Sequence, residues 1–83
     1  MQVQVRYFAS IREAIGTGGE TVDTDAADVQ GLRDALMARS PAHAQALARG
    51  RAVRVAMNQV MCAEDALLAA GVEVAFFPPV TGG

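Results

Sequence analysis

Residues 2 to 9 alternate between polar and apolar. Val3, Val5 and Tyr7 fall on one face, and Gln2, Gln4, Arg6 and Phe8 fall on the other. A period of two predicts a half-buried β-strand. Ser10 to Ala14 reads as a short turn or a single helical turn, and Gly16-Thr17-Gly18-Gly19 as a loop. Glu20 to Thr24 then reads as a second strand that forms a hairpin with the first. Beyond it the period lengthens. Asp28 is placed to cap a helix running to about Arg39, with Val29, Leu32, Ala35 and Leu36 on one stripe and Gln30, Arg33 and Asp34 outside it. Gly31 costs that helix about 1 kcal/mol relative to alanine, so packing must hold it. Ser40-Pro41 restarts a short second helix, with serine as cap and proline in the first turn, and Gly50 closes it.

Val53, Val55 and Met57 alternate with Arg54 and Ala56, which predicts a third strand. Gln59 to Cys62 extends it after a bend. Ala63 to Ala70 reads as a loop or single turn, with Leu67 and Leu68 as anchors into the core. Gly71 precedes a last strand, Val72 to Phe77. The order β-β-α-β-β predicts an α+β fold, a sheet crossed by one main helix and accompanied by a short second one. The expected domain spans residues 1–77, followed by a tail over 78–83.

Parity singles out three residues. Phe8 shares a face with Gln2, Gln4 and Arg6. Phe77 shares a face with Glu73, opposite Val72, Val74 and Phe76. Met61 falls opposite Val60 and Cys62. Three large apolar groups are therefore expected on the outer face, where a cluster of them marks a partner surface.

Composition narrows the classes. At 83 residues the chain makes one domain with an adequate core. Its 52% hydrophobic content indicates a folded globule. The apolar stretches are too short to span a bilayer, and the opening residues lack the charged and apolar regions of a signal peptide. No membrane association is expected. A lone cysteine, Cys62, fits a reducing, cytoplasmic setting. A net charge of −2 argues against nucleic-acid binding. All seven basic residues are arginine, at positions 6, 12, 33, 39, 49, 51 and 54. With no lysine, the chain offers no side-chain amine for linkage to another copy. That fits a donor that never polymerises, and equally a compositional bias towards arginine and alanine.

Conventional catalytic constellations are missing from the sequence. The Gly16 to Gly19 run lacks the Gly-Lys-Ser/Thr ending of a phosphate-binding loop. Cys62 has no evident base, because the only histidine, His43, falls in an apparent surface helix. One histidine and one cysteine do not make a zinc site. Glu64-Asp65 reads as a solvated loop pair. No catalysis by the chain alone is expected.

The chemistry lies at the end of the chain. The last strand runs without a break into the closing residues, Phe76-Phe77-Pro78-Pro79-Val80-Thr81-Gly82-Gly83. A terminal Gly-Gly passes through a constriction that any Cβ would block, and it delivers a carboxylate. That carboxylate becomes an acyl donor once adenylated. The alternative is a frayed terminus. Against it, a rigid Pro-Pro placed directly after an apolar strand reads as a spacer.

These residues resemble the small, sulfur-carrier subunit of molybdopterin synthase, a relative of ubiquitin. The resemblance covers the whole chain. Val5-Arg6-Tyr7-Phe8-Ala9 with Arg12-Glu13 is similar to the family's first strand and turn. Ala56-Met57-Asn58-Gln59 is similar to its Val-Asn-Gln segment, and Glu73 to Gly83 matches its closing motif. Val72 stands where an aspartate is common, and Met57 replaces the usual valine. The resemblance implies a β-grasp (ubiquitin-like) fold with a mixed four- to five-stranded sheet. It also implies a cycle in molybdenum cofactor biosynthesis. An adenylating enzyme uses ATP and Mg²⁺ to activate Gly83, and a sulfur donor converts it to a thiocarboxylate. The tail, Pro78, Pro79, Val80, Thr81 and Gly82, then carries it into the large subunit. There sulfur passes to cyclic pyranopterin monophosphate. The family pairs two small with two large subunits in a heterotetramer and docks through positions matching Phe8, Met61 and Phe77. The chain is expected to bind no cofactor of its own. Two alternatives stay open: a sulfur carrier for thiamin thiazole or tRNA thiolation, and an interaction module with an inert tail.

Overall fold

The computed structural model describes residues 1–79. The expectations for Val80, Thr81, Gly82 and Gly83 lie outside the described residues. The first strand, β1 (Gln2–Tyr7), alternates exposed and buried residue by residue, as its pattern predicts. It is followed by α1 (Ala9–Ile15), β2 (Gly19–Asp23), α2 (Val29–Met37), α3 (Pro41–Ala46), β3 (Arg54–Met57), β4 (Val60–Cys62) and β5 (Glu73–Phe77). The five strands form one mixed sheet in the order β2-β1-β5-β3-β4. β1 and β5 run parallel at the centre, and the other neighbours are antiparallel. The first and last strands are thus hydrogen-bonded to each other, which closes the fold around α2. The core comprises Val3, Val5 and Tyr7 of β1, Leu32 and Leu36 of α2, Leu47, and Val74 and Phe76 of β5, all at most 2% exposed.

Both expected helix caps form. Asp28 Oδ1 accepts from Gly31 N at 2.8 Å, and Ser40 Oγ accepts from His43 N at 3.1 Å. Several expectations are corrected. The segment after β1 is a full helix of 7 residues, which buries Ile11 and ends at Gly16 in the left-handed conformation, φ 92°. Ala35 is exposed, and Arg33 lies in the buried stripe at 3% exposure. Val29, Leu32, Arg33 and Leu36 follow the i, i+3, i+4, i+7 spacing, so helical geometry places Arg33 inward. Leu67 is 75% exposed and does not anchor the core, although its neighbour Leu68 packs against it. Backbone bonds hold this loop: Val29 N donates to Ala66 O, Gln30 N to Glu64 O and Leu68 N to Ala27 O, at 2.8–3.1 Å. The loop thus satisfies amides of the first turn of α2.

Arg33 is buried because all its groups are partnered. Nε donates to Leu47 O, Nη2 to Ala48 O and Nη1 to Glu64 Oε2, each at 2.8 Å. Arg49 pairs with the other Glu64 oxygen and with Asp34. Glu64 is therefore a clamp between two arginines and not a solvated loop carboxylate. Its partners lie 15 or more residues away, beyond any local pattern.

Candidate functional site

One face of the sheet is covered by the helices, and the other is open. Register defines what the open face displays. Met61 of β4 pairs with Ala56 of β3, Ala56 with Ala75 of β5, and Ala75 with Arg6 of β1. Directly paired residues share a face, so these four form one row across the sheet. In the next row Arg54 pairs with Phe77. Phe8 stands beside it, its amide donating to Phe76 O at 3.1 Å.

Phe8 is 46% exposed, Met61 58%, and Phe77 is half-buried. All three stand on the open face, as strand parity predicts. They are not equally close. Phe8 and Phe77 line the same depression, of about 320 Å³, together with Arg6, Ala56, Gln59, Glu73 and Ala75. Met61 stands at its margin, beside the floor residue Ala56. The two alanines make the hollow, because larger side chains there would fill it. Arg6 Nε lies 3.4 Å from Glu73 Oε1 and gives the depression a charged wall. Ala56, Ala75, Arg6, Gln59 and Glu73 all fall in the motifs that carry the family resemblance, but none of them was expected as a partner-surface residue. Carrying the parity of β3 and β5 one row further finds the alanines, but only strand order brings them together.

Two backbone features set this surface. Ala9 has φ 52° in the left-handed region, which turns the chain out of β1 directly after Phe8. The Phe8 carbonyl accepts from Ile11 N and Arg12 N, so the residue is held on both sides. Asn58 and Gln59, with φ 49° and 69°, make the tight turn between β3 and β4. Asn58 Oδ1 accepts from Glu73 N at 3.0 Å, and Asn58 N donates to Glu73 O at 2.8 Å. That pair locks the turn to the start of β5.

The helical side holds a second polar cluster. Glu20 Oε2 accepts from the Tyr7 hydroxyl and contacts His43 Nε2, both at 2.8 Å, and Glu20 Oε1 lies 3.1 Å from Arg39 Nη2. Ser40 Oγ lies 2.7 Å from His43 Nδ1. His43 is thus enclosed and not on a surface helix, its side chain 13% exposed. A carboxylate only accepts, so Nε2 is the donor towards Glu20. The Ser40–His43–Glu20 order is that of a catalytic triad, but Ser40 Oγ is already engaged in capping α3. Burial drives the Tyr7 hydroxyl far above its ordinary pKa, and the Glu20 bond adds to the shift. Burial alone would raise Glu20. Hydrogen bonds from His43 and Tyr7 and the charge of Arg39 outweigh it, and the carboxyl sits below its ordinary value. The cluster is a clasp between β1, β2 and α3.

Cys62 is half-buried against the core, and burial raises its thiol above the ordinary value. That is the opposite of an activated nucleophile. Among the described residues no group of three or more His, Cys, Asp or Glu side chains is placed to hold a metal ion. No described helix is long and apolar enough to cross a membrane.

A sheet with its first and last strands parallel at the centre, antiparallel flanks and one principal crossing helix defines a ubiquitin-like β-grasp protein. Its last strand leads from the middle of the sheet towards the Gly-Gly motif. The chain belongs to the ThiS family, whose profile matches residues 5–83. It is 43% identical over 81 residues to the molybdopterin synthase sulfur carrier subunit of Escherichia coli K12, covering 98% of this chain and 99% of that one. The structure is similar to that of SAMP1 from Haloferax volcanii, with TM-score 0.81 and 32% identity, covering all of both chains. It is also similar to a chain in the complex of subunits 1 and 2 of molybdopterin-converting factor from Helicobacter pylori, with TM-score 0.68 and 25% identity, again covering all of both chains.

Proposed function

We propose that this chain is the sulfur carrier of molybdenum cofactor biosynthesis and the small subunit of a molybdopterin synthase. The observation that carries the reading is β5. The strand bearing the closing motif is the middle strand of the sheet, paired on both sides. Its last residue, Phe77, lines the open depression with Phe8. A tail rooted there is presented by a strand paired on both sides, beside a surface fit for docking.

In this reading the Gly83 carboxylate attacks the α-phosphorus of ATP within an adenylating enzyme that supplies Mg²⁺, and pyrophosphate leaves. A sulfur donor displaces AMP from the acyl-adenylate and leaves a thiocarboxylate. Phe8, Met61 and Phe77 dock the large subunit. Pro78, Pro79, Val80, Thr81 and Gly82 deliver the sulfur into that subunit's active site, where it passes to cyclic pyranopterin monophosphate. The small subunit holds no cofactor and performs no catalysis alone. Assembly is a heterotetramer with two large subunits, in the cytoplasm.

The test is intact mass after incubation with the adenylating enzyme, ATP, Mg²⁺ and a sulfur source, followed by large subunit and pterin substrate. A mass gain corresponding to one oxygen replaced by sulfur, lost again as molybdopterin forms, is expected. Thiocarboxylation without transfer to the pterin assigns the chain to another sulfur pathway. An unmodified chain identifies the tail as inert.

A further inference from the structure

Phe8 stands between two depressions. On one side is the alanine-floored hollow that it shares with Phe77. On the other is a second depression of about 460 Å³, bordered by Arg6, Phe8, Arg12, Gly18 and Gly19. Arg6 and Phe8 border both, so they form the ridge between them. The glycines shape the second depression. Gly18 O accepts from Tyr7 N at 3.1 Å, which fastens the loop to β1. A Cβ at Gly18 would lie 3.3 Å from Arg12 Nε, so this guanidinium rests over bare backbone. A Cβ at Gly19 would lie 2.9 Å from Val5 O, closer than the paired strands accept.

The cations here are incompletely matched. Arg12 is exposed and has no carboxylate within ion-pair distance among the described residues. Arg6 leans on Glu73 through Nε at 3.4 Å, longer than the usual charge-assisted hydrogen bond of about 2.8 Å. Glu20 also borders the second depression, but its carboxylate is committed to Tyr7, His43 and Arg39. Arg54, exposed beside Phe77, adds a further positive charge to the face. On a chain of net charge −2, the surface around the apolar hollow is therefore locally basic.

We propose that the two depressions together recognise one segment of the large subunit, which sets an apolar side chain in the alanine hollow and a carboxylate between Arg6 and Arg12, on either side of Phe8. The proposal rests on the carrier reading, which supplies the large subunit as partner. The apolar side chain, buried against Phe8 and Phe77, supplies affinity. The guanidinium groups act first at a distance: opposite charges steer the encounter and speed association, and salt screens the effect. On contact, a guanidinium holds a carboxylate through two parallel hydrogen bonds, which fixes the segment's register. Arg6 and Arg12 are thus specificity determinants. A partner that fills the hollow but brings a basic group to the second depression sets like charges against each other.

The experiment measures association and dissociation rates with the large subunit over a series of ionic strengths. It compares the full-length chain with R6Q/R12Q, A75L, and R6Q/R51Q as a charge-matched control. Arg51 is exposed ahead of β3 and borders neither depression. Thermal midpoints confirm that each variant is folded. R6Q/R12Q should associate about tenfold more slowly at low salt, with a flatter salt dependence, and should dissociate severalfold faster. R6Q/R51Q should lose clearly less in both rates. A75L fills the hollow without changing charge, and should dissociate severalfold faster at every ionic strength. Unaltered association or dissociation for R6Q/R12Q overturns the inference and leaves the carrier reading standing. So do equal losses for R6Q/R51Q, which reduce the effect to net charge, and unaltered binding by A75L. Absence of binding by the unaltered chain at any ionic strength overturns the inference and the carrier reading together.

Discussion

Ala56 of β3 and Ala75 of β5 lie side by side on the open face of the sheet, each only 7% exposed although no helix covers them. Small side chains sunk between Phe8, Phe77 and Arg6 leave a hollow with an aromatic rim. Such a surface suits an anchor residue from a partner, and aromatic residues at its edge are the positions where binding energy concentrates. Phe77→Ala should weaken large-subunit binding by about 2 kcal/mol or more, measured by titration calorimetry. Phe77 is half-buried at a strand end, so the thermal midpoint should move little. Unchanged affinity would remove Phe77 from the interface.

Arg33→Ala should cost the fold about 2–4 kcal/mol, because it strands the Leu47 and Ala48 carbonyls and half of the Glu64 clamp. Arg33→Lys should recover only part of this, since an ammonium does not span three acceptors arranged for a planar fork. Urea unfolding measures both. Equal stability of Arg33→Ala and the unaltered chain would show that water replaces the network without cost.

Much of this fold was legible because its strands obey strict parity. Val3, Val5 and Tyr7 point inward as their spacing requires, and the same rule sends Phe8, Met61 and Phe77 outward. Both N-caps were readable because a cap is a local contact between residues three apart. What escaped depends on distant partners. Nothing beside Arg33 announces Leu47, Ala48 and Glu64, and a lone arginine in an apolar stripe is easily assigned to the wet side. Leu67 misled for the converse reason. It resembles an anchor, yet its backbone pairs with Asp28 while its side chain faces solvent. The depression was only half legible, because sequence gives the face of each strand and not the order in which strands stand.

The Glu20 clasp predicts an acid limb to stability. Its folded carboxyl lies below the ordinary value, so the folded state binds the proton less readily than the unfolded chain does. The contribution is therefore fully present above the ordinary glutamate pKa and is lost as pH falls through the lower folded value. Urea midpoints measured from neutral pH downward should be flat and then decline. Glu20→Gln should be less stable at neutral pH, and its decline should be shallower. Parallel curves for the two proteins would show that Glu20 contributes nothing to the acid limb.

Deletion of conformational freedom and obstruction are separable in the tail. Pro78 and Pro79 follow β5 directly, and their fixed φ limits the entropy lost when the tail is inserted into a partner. Pro79→Ala relaxes that constraint without adding bulk, and should slow sulfur transfer only severalfold. Gly82→Val leaves the reacting carboxylate in place but adds a β-branched side chain next to it, which the narrow channel of the proposed function would not accept. It should reduce single-turnover transfer by orders of magnitude. Each variant is thiocarboxylated beforehand and mixed with excess large subunit and pterin substrate, so that only delivery is measured. Affinity for the large subunit should stay close to that of the unaltered chain if Phe8, Met61 and Phe77 supply most of the docking energy. Normal transfer by Gly82→Val would mean that no constriction surrounds Gly82, and that the glycines serve flexibility alone.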